Sequence, residues 1–483
     1  MDKTPMTGDA AGHHGRKASR RTFLRTTGAL GTAVAGASIA GFAAGGNARA
    51  ASGPHPTGLN WEAGIPDMRG YPTLSELHRG VRTVGRDHPR RTELRTVGTS
   101  RAGRDLLMIS VGAGRNNALV LGGPHPNEPT GFLTALHLAR LAARHPELAE
   151  GLDVTWHIVP CMDPDAMDLG EKWYGGPYTI QNYYGKFYRP AFRNQVEWTF
   201  PVEGGFDSPL PETQQLMAVI DELKPKLVYT LHSSDFTGFH FMMNRDVPEL
   251  VSGIEKAIES RGFPFHAAPA DGGATPLGRG AYLLPELGTP APDEQLVPGA
   301  SSIHYAARHG ALGILPETPM WHSPRFQETH GSGHRYARLL GRAADRLERD
   351  GDFLAEVVLH TRDGLPGHSP YAAAVAENLE LARRTARTYR QTATEPAAGR
   401  EATVAEQFGV LWTTYAFPLR AGGMLLQLLE GPGVDARHTR RRLRAWFVRR
   451  CAQKQRDFPG PGLALRELAA VQMDVAFTAA RCL

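Results

Sequence analysis

From Thr73 to His88 the apolar residues Leu74, Leu77, Val81 and Val84 recur at helical spacing, and Pro89 ends the run, which predicts a surface helix with one face on a core. Leu94–Val97 and Leu106–Val111 are short β-prone runs separated by the turn-rich residues 98–104, a predicted hairpin. Ala118-Leu119-Val120-Leu121 is wholly apolar, stops at Gly122-Gly123, and is followed by a loop and a helical pattern from Phe132 to Leu141. The alternation then repeats. Val154–Val159, Leu227–Leu231 and Ala311–Leu315 read as strands, Thr213–Leu223 and Glu249–Ser260 as helices. Strands alternating with helices imply an α/β fold, a mixed, mostly parallel sheet with helices on both faces.

Two stretches, 172–210 and 264–300, are rich in Gly, Pro and Tyr and lack periodicity; loops of that length in a compact domain usually rim a binding site. Beyond about residue 350 the pattern becomes helical, over 370–392, 401–429, 436–456 and 463–481, with almost no strand signal. The expected organisation is a leader at 1–50, a catalytic domain at 51–349 and an all-helical C-terminal domain at 350–483. Within the last, Arg437, Arg440, Arg441, Arg442, Arg444, Arg449 and Arg450 share a helix with Leu443, Trp446 and Phe447, read as a solvated face packed on its apolar side, with binding to an anionic polymer or to membrane phosphates as the alternative.

The formal charge of +5 alters this picture only at the start of the chain, because residues 1–50 carry seven Lys or Arg against two Asp. The remainder is balanced, so no nucleic-acid partner is expected. The leader runs from Ser19-Arg20-Arg21-Thr22-Phe23-Leu24 through a mild apolar stretch to Ala48-Arg49-Ala50, and resembles a twin-arginine export signal cleaved after Ala50. Recognition by that export machinery, an extracytoplasmic location and no stable membrane insertion after cleavage follow as expectations. Cys161, Cys451 and Cys482 lie too far apart to suggest a disulfide framework or a cysteine metal site.

The chemistry lies at strand ends. His125 and Glu128 sit three apart just after an apolar strand, and a second such strand ends in His232. Two imidazoles and a carboxylate at the carboxyl ends of strands in one sheet form a catalytic zinc set with one position left open. A third strand delivers Glu317, a carboxylate able to take a proton from water and return it to a leaving nitrogen.

These residues resemble the zinc metallocarboxypeptidases of the carboxypeptidase A type, over roughly residues 70–345. The resemblance rests on Val97-Gly98-Thr99-Ser100-Arg101-Ala102-Gly103-Arg104, on Pro124-His125-Pro126-Asn127-Glu128, on Pro160 with Asp163-Pro164-Asp165, and on Ser302-Ile303-His304-Tyr305 fifteen residues before Glu317. It implies a carboxypeptidase-like α/β/α fold and one Zn2+ held by His125, Glu128 and His232. It also implies Glu317 as base and then acid, an oxyanion-stabilising arginine (Arg189 first, Arg193 second), and a peptide or peptide-like substrate.

Two departures stand out. Gln195-Val196-Glu197-Trp198-Thr199-Phe200-Pro201 lacks the arginine with which the family grips a substrate's free carboxylate, and no tyrosine stands between Tyr282 and Tyr305 where the family's substrate-binding one is sought. Arg193 or Arg279 is then left to supply the clamp charge, and Glu197 with Trp198 to meet a cationic or apolar substrate group. An amidohydrolase acting on a wall fragment or secondary metabolite is the alternative enzyme reading; a zinc-containing binding protein without catalysis is the alternative outside enzymes.

Overall fold

A computed structural model describes residue 65 and residues 68–267, 274–285, 296–361, 369–430, 436–459 and 462–483. The leader expected at 1–50 lies outside the described residues. Nine strands form one sheet: β1 (Thr92–Thr99), β2 (Asp105–Val111), β3 (Asn116–Gly122), β4 (Val154–Val159), β5 (Leu227–Phe236), β6 (His240–Met243), β7 (Thr275–Gly278), β8 (Ala281–Leu283) and β9 (Leu312–Trp321). Their order is β1-β2-β4-β3-β5-β9-β6-β8-β7. The centre, β4-β3-β5-β9, is parallel, while β1-β2, β2-β4, β6-β9 and β7-β8 pair antiparallel. Parallel neighbours need crossovers, and the intervening helices cover both faces, which is why the central strands read as unbroken apolar runs.

Alternation splits the core. Ala118 and Val120 of β3 and Tyr229 and Leu231 of β5 face one cluster with Phe132, Leu136 and Phe477; Leu119, Leu121, Val228 and Leu315 face the other with Val196, Ile220 and Ile303. Successive side chains point to opposite faces, so each central strand holds both helical layers together. The helix Leu74–Asp87 begins in a capping box in which Thr73 and Glu76 satisfy each other's backbone N–H groups, a contribution of about 1 kcal/mol.

The strand containing Glu317 continues through Pro316 and Pro319 to Trp321, further than the apolar run ending at Leu315. Strands β6, β7 and β8 had no sequence counterpart. They are three or four residues long, and β7 carries Pro276, a residue tolerated at a sheet edge.

The expected helices beyond residue 350 are present, as Pro370–Ala393, Val404–Leu429, Arg437–Asp457 and Leu465–Ala480. A further helix, Tyr336–Thr361, runs unbroken across position 349/350. The last helix packs on Thr130–Arg144 and Pro248–Ser260 and reaches β5 and β9; Phe477 meets Trp156 of β4 edge-on at 6.1 Å between centroids. In the arginine-rich helix Leu443, Trp446, Phe447 and Cys451 are buried, Arg442 pairs with Glu356 at 3.0 Å, and Arg450 is buried against Asp350 at 2.7 Å. No helix among the described residues is long and apolar enough to cross a membrane.

Candidate metal centre

After β3 the chain turns through Gly122-Gly123. Gly123 has φ +52°, and a Cβ there would lie 1.7 Å from the Phe132 ring, so only glycine fits. The turn is closed by the Glu128 N–H donating to the His125 carbonyl at 3.1 Å, which sets the two side chains abreast. Tyr174 Oη pins the loop by donating to the Pro126 carbonyl at 2.5 Å.

β5 brings the third residue. Glu128 Oε1 lies 3.1 Å from His125 Nδ1, and Oε2 lies 3.0 Å from His232 Nδ1 and accepts from the Ser233 N–H at 3.3 Å. All three residues are at most 3% exposed, and their ligand atoms lie within 4.8 Å of one another. Ligands bound at about 2.0–2.2 Å around one tetrahedral ion sit roughly 3.3 Å apart, close to the spacings found. The buried His232 Nε2 has no hydrogen-bond partner. With one carboxylate between two imidazoles, the donor set fits one zinc ion, with a fourth position left for substrate or water.

Electrostatics agree with that use. Burial, and then the Arg189 cation, hold His125 down to about 3, so its imidazole is a neutral ligand at neutral pH. Burial pushes the Glu128 carboxyl up, but His125, Arg189 and the histidine hydrogen bonds outweigh it and leave it well below the usual range.

Arg189 arrives on the loop following the short helix Ile180–Gly185. Its Nη1 donates to Glu128 Oε1 at 2.7 Å, its Nη2 is 3.1 Å from His125 Nε2, and Gln195 Oε1 lies 3.5 Å away. Glu317 is half-buried, in register with His232 of β5 and with His240 of β6, so the three side chains emerge on one face of the sheet. Its charge is felt by Arg189.

The structure therefore gathers His125, Glu128, His232 and Arg189 and sets Glu317 beside them. Arg193 is elsewhere: it is exposed and lines a cavity of about 750 Å3 with Arg101, Arg104, Asp163 and Tyr188. Arg279 is also distant from this role, paired with Glu259 and laid over Phe265 at 4.6 Å. At the expected clamp, Val196 and Glu197 are fully buried. Glu197 Oε1 accepts from the Ser302 hydroxyl at 3.0 Å and its N–H at 3.3 Å, which anchors the helix Ser302–Ala307, while its buried Oε2 has no hydrogen-bond partner. Burial raises the Glu197 carboxyl to about 8, against the pull of the Ser302 bonds.

Two contributors came with no local sequence signal. Arg420, on the helix Val404–Leu429, lies 3.8 Å from Asp235, and its charge reaches Arg189 and Glu128. Gln472, on the last helix, donates to the His232 carbonyl at 2.8 Å.

Residues 77–242 match the zinc carboxypeptidase family, a segment that contains His125, Glu128, Arg189 and His232 and stops before Glu317. Zinc carboxypeptidase A 1 of Anopheles gambiae is 25% identical over 235 residues, which are 40% of this chain and 52% of that protein; the chain thus spans about half the length of the relative it matches. Among solved structures, a metallo-carboxypeptidase from Burkholderia cenocepacia aligns at 16% identity and TM-score 0.34, covering 53% of this chain and 60% of that one. The murein-tripeptide amidase of Escherichia coli O157 aligns at 18% identity and TM-score 0.26, covering 47% and 82%.

Proposed function

We propose that this chain is an exported zinc metallopeptidase that hydrolyses a peptide or peptide-like amide bond. The observation that carries this reading is the convergence of His125, Glu128 and His232 on one point, with Glu317 in register beside His232. Bound zinc supplies Lewis-acid polarisation of the scissile carbonyl and acidifies water. Glu317 takes the proton released from water and hands it to the leaving nitrogen, the double role of a carboxylate that is neither fully buried nor fully exposed. Arg189, held by Glu128, supplies a cation to the oxygen that becomes negative as the carbonyl is attacked, and a cation held in place stabilises that charge without reorganising. Substrate lies over the carboxyl ends of β3, β5 and β9. Export is read from the paired Arg20-Arg21 and the small-residue site at Ala50.

A second reading, an amidohydrolase that does not require a carboxyl-terminal residue, is favoured by the buried Val196 and Glu197 at the clamp position. Without a bidentate cation there, cutting only next to a free carboxylate loses its physical basis. The test is hydrolysis, by the zinc-loaded protein from residue 51 onward, of one peptide with a free carboxyl terminus and the same peptide amidated. Preference for the free terminus by tenfold or more supports carboxypeptidase action; equal rates support the amidohydrolase. No turnover of any amide with zinc bound sinks both and favours a zinc-containing binding protein.

A further inference from the structure

β3 pairs with β5 only as far as Gly122 opposite Leu231, and the metal ligand His232 is the next residue. Past that point β5 stays paired with β9 as far as Phe236 but has lost its neighbour on the β3 side, where a buried amide or carbonyl left unpaired is costly. The Ser233 N–H goes to Glu128. The His232 carbonyl takes its bond from Gln472 Nε2 at 2.8 Å, across 240 residues of sequence.

Gln472 is fully buried, and both its amide nitrogen and its amide oxygen are hydrogen-bonded. Its Oε1 accepts from Thr134 Oγ1 at 2.6 Å, which fixes the amide orientation so that the NH2 group faces His232. Its own carbonyl accepts from Tyr229 Oη at 2.7 Å. Thr134 lies one turn into the helix Thr130–Arg144, which starts two residues after Glu128. The single side chain of Gln472 therefore ties the helix leaving the His125/Glu128 loop to the part of β5 that carries His232, just beyond its pairing with β3. It acts from the layer opposite the side chains that converge on the metal: Phe477 and Met473 of its helix belong to the cluster shared with Tyr229 and Leu231, whereas Val228 and Leu315, on the His232 and Glu317 side of their strands, belong to the other.

We propose that Gln472 is a positioning residue for the zinc site, setting the separation of its two ligand-bearing segments, and that the last helix is thereby a component of the metal centre. This rests on the zinc reading above. The outer partners of metal ligands typically govern metal affinity by roughly 10- to 100-fold, here acting through a ligand's backbone rather than its ring.

The experiment measures zinc affinity of the full chain by competition with a chromophoric chelator, alongside the urea midpoint of the metal-free protein. Three variants are compared with wild type: Gln472→Met, which keeps the volume and removes both bonds; Thr134→Val, which removes only the anchor of the amide; and Val475→Ala, a buried change on the same helix with no hydrogen bond to a ligand segment. The expected result is zinc binding weakened roughly 10- to 100-fold by Gln472→Met and less, in the same direction, by Thr134→Val, whereas Val475→Ala lowers the urea midpoint and leaves zinc affinity unchanged. Folded Gln472→Met with wild-type zinc affinity overturns the proposal. Should that variant not fold, Thr134→Val decides, and unchanged affinity there overturns it equally. Wild type that binds no zinc refutes the zinc reading itself, an outcome distinct from wild type binding zinc as well as its variants.

Discussion

Glu317 and His232 occupy partnered positions on adjacent parallel strands, β9 and β5, so the proposed base and a proposed metal ligand are held at a separation set by the sheet ladder, not by a loop. Partnered residues on neighbouring strands project from the same face of a sheet. Replacing Glu317 with Gln keeps shape and removes the proton acceptor; turnover should fall roughly 10^2- to 10^4-fold while zinc content, read by atomic absorption, stays at one per chain. Retained turnover would exclude Glu317 as the base.

Metal removal tests the triad as a structural unit. A ligand that binds only the folded state adds stability by mass action, about 2.7 kcal/mol at a hundredfold excess over its dissociation constant. Chelation should therefore lower the melting temperature of wild type, and zinc should restore it. In His232→Ala the same addition should change nothing; a full zinc-dependent shift in that variant would mean the ion binds elsewhere.

Arg189 donates to Glu128 and contacts His125, whereas Arg193 lines a separate cavity. Substituting Arg189 with Met should lower kcat roughly 10^2- to 10^3-fold with a smaller change in KM, since the charge it meets develops in the transition state. Arg193→Met should leave kcat nearly intact. Steady-state kinetics on one peptide substrate distinguish the two, and the reverse order of effects would move the oxyanion role to Arg193.

Glu197 offers a pH test to be read on the metal-free protein, since the Glu128 carboxylate also helps to raise its carboxyl. Burial raises its folded carboxyl to about 8 from an ordinary 4.5. The folded state therefore binds this proton more tightly than the unfolded chain, so its contribution is fully present below about pH 4.5 and is lost as pH rises through about 8. Gln at 197 keeps an acceptor for Ser302 and cannot ionise. Urea midpoints of Glu197→Gln relative to wild type should rise progressively between pH 5 and pH 9; a pH-independent difference would mean that Glu197 ionises normally.

The parts legible in sequence were those dictated by local pattern. Runs rich in apolar residues marked β3, β4 and β5, and the two histidines follow such runs: His125 lies past the end of β3, whereas His232 stands inside β5, which continues to Phe236. Glu317 was visible for the same reason, although β9 runs on through two prolines. What stayed hidden depends on distant partners. Strand β6 is defined by its pairing with β9, since His240 and its neighbours have no strong strand pattern. Which of Arg189 and Arg193 lies against Glu128 depends on which way a loop folds, and the burial of Glu197 on the position of Ser302. The helix Tyr336–Thr361 begins before the change of composition near residue 350 and packs on the helices Pro370–Ala393, Val404–Leu429 and Arg437–Asp457 that follow it, a set of distant partners that its own periodicity does not reveal.

The bond from Gln472 to His232 has a consequence for biosynthesis. A ribosome delivers His125, Glu128 and His232 long before the last helix, so a growing chain passes through a period in which the three ligand side chains exist but their brace does not. On the proposal that Gln472 sets the zinc affinity, capture at full affinity becomes a late event, completed only when the helix Leu465–Ala480 docks.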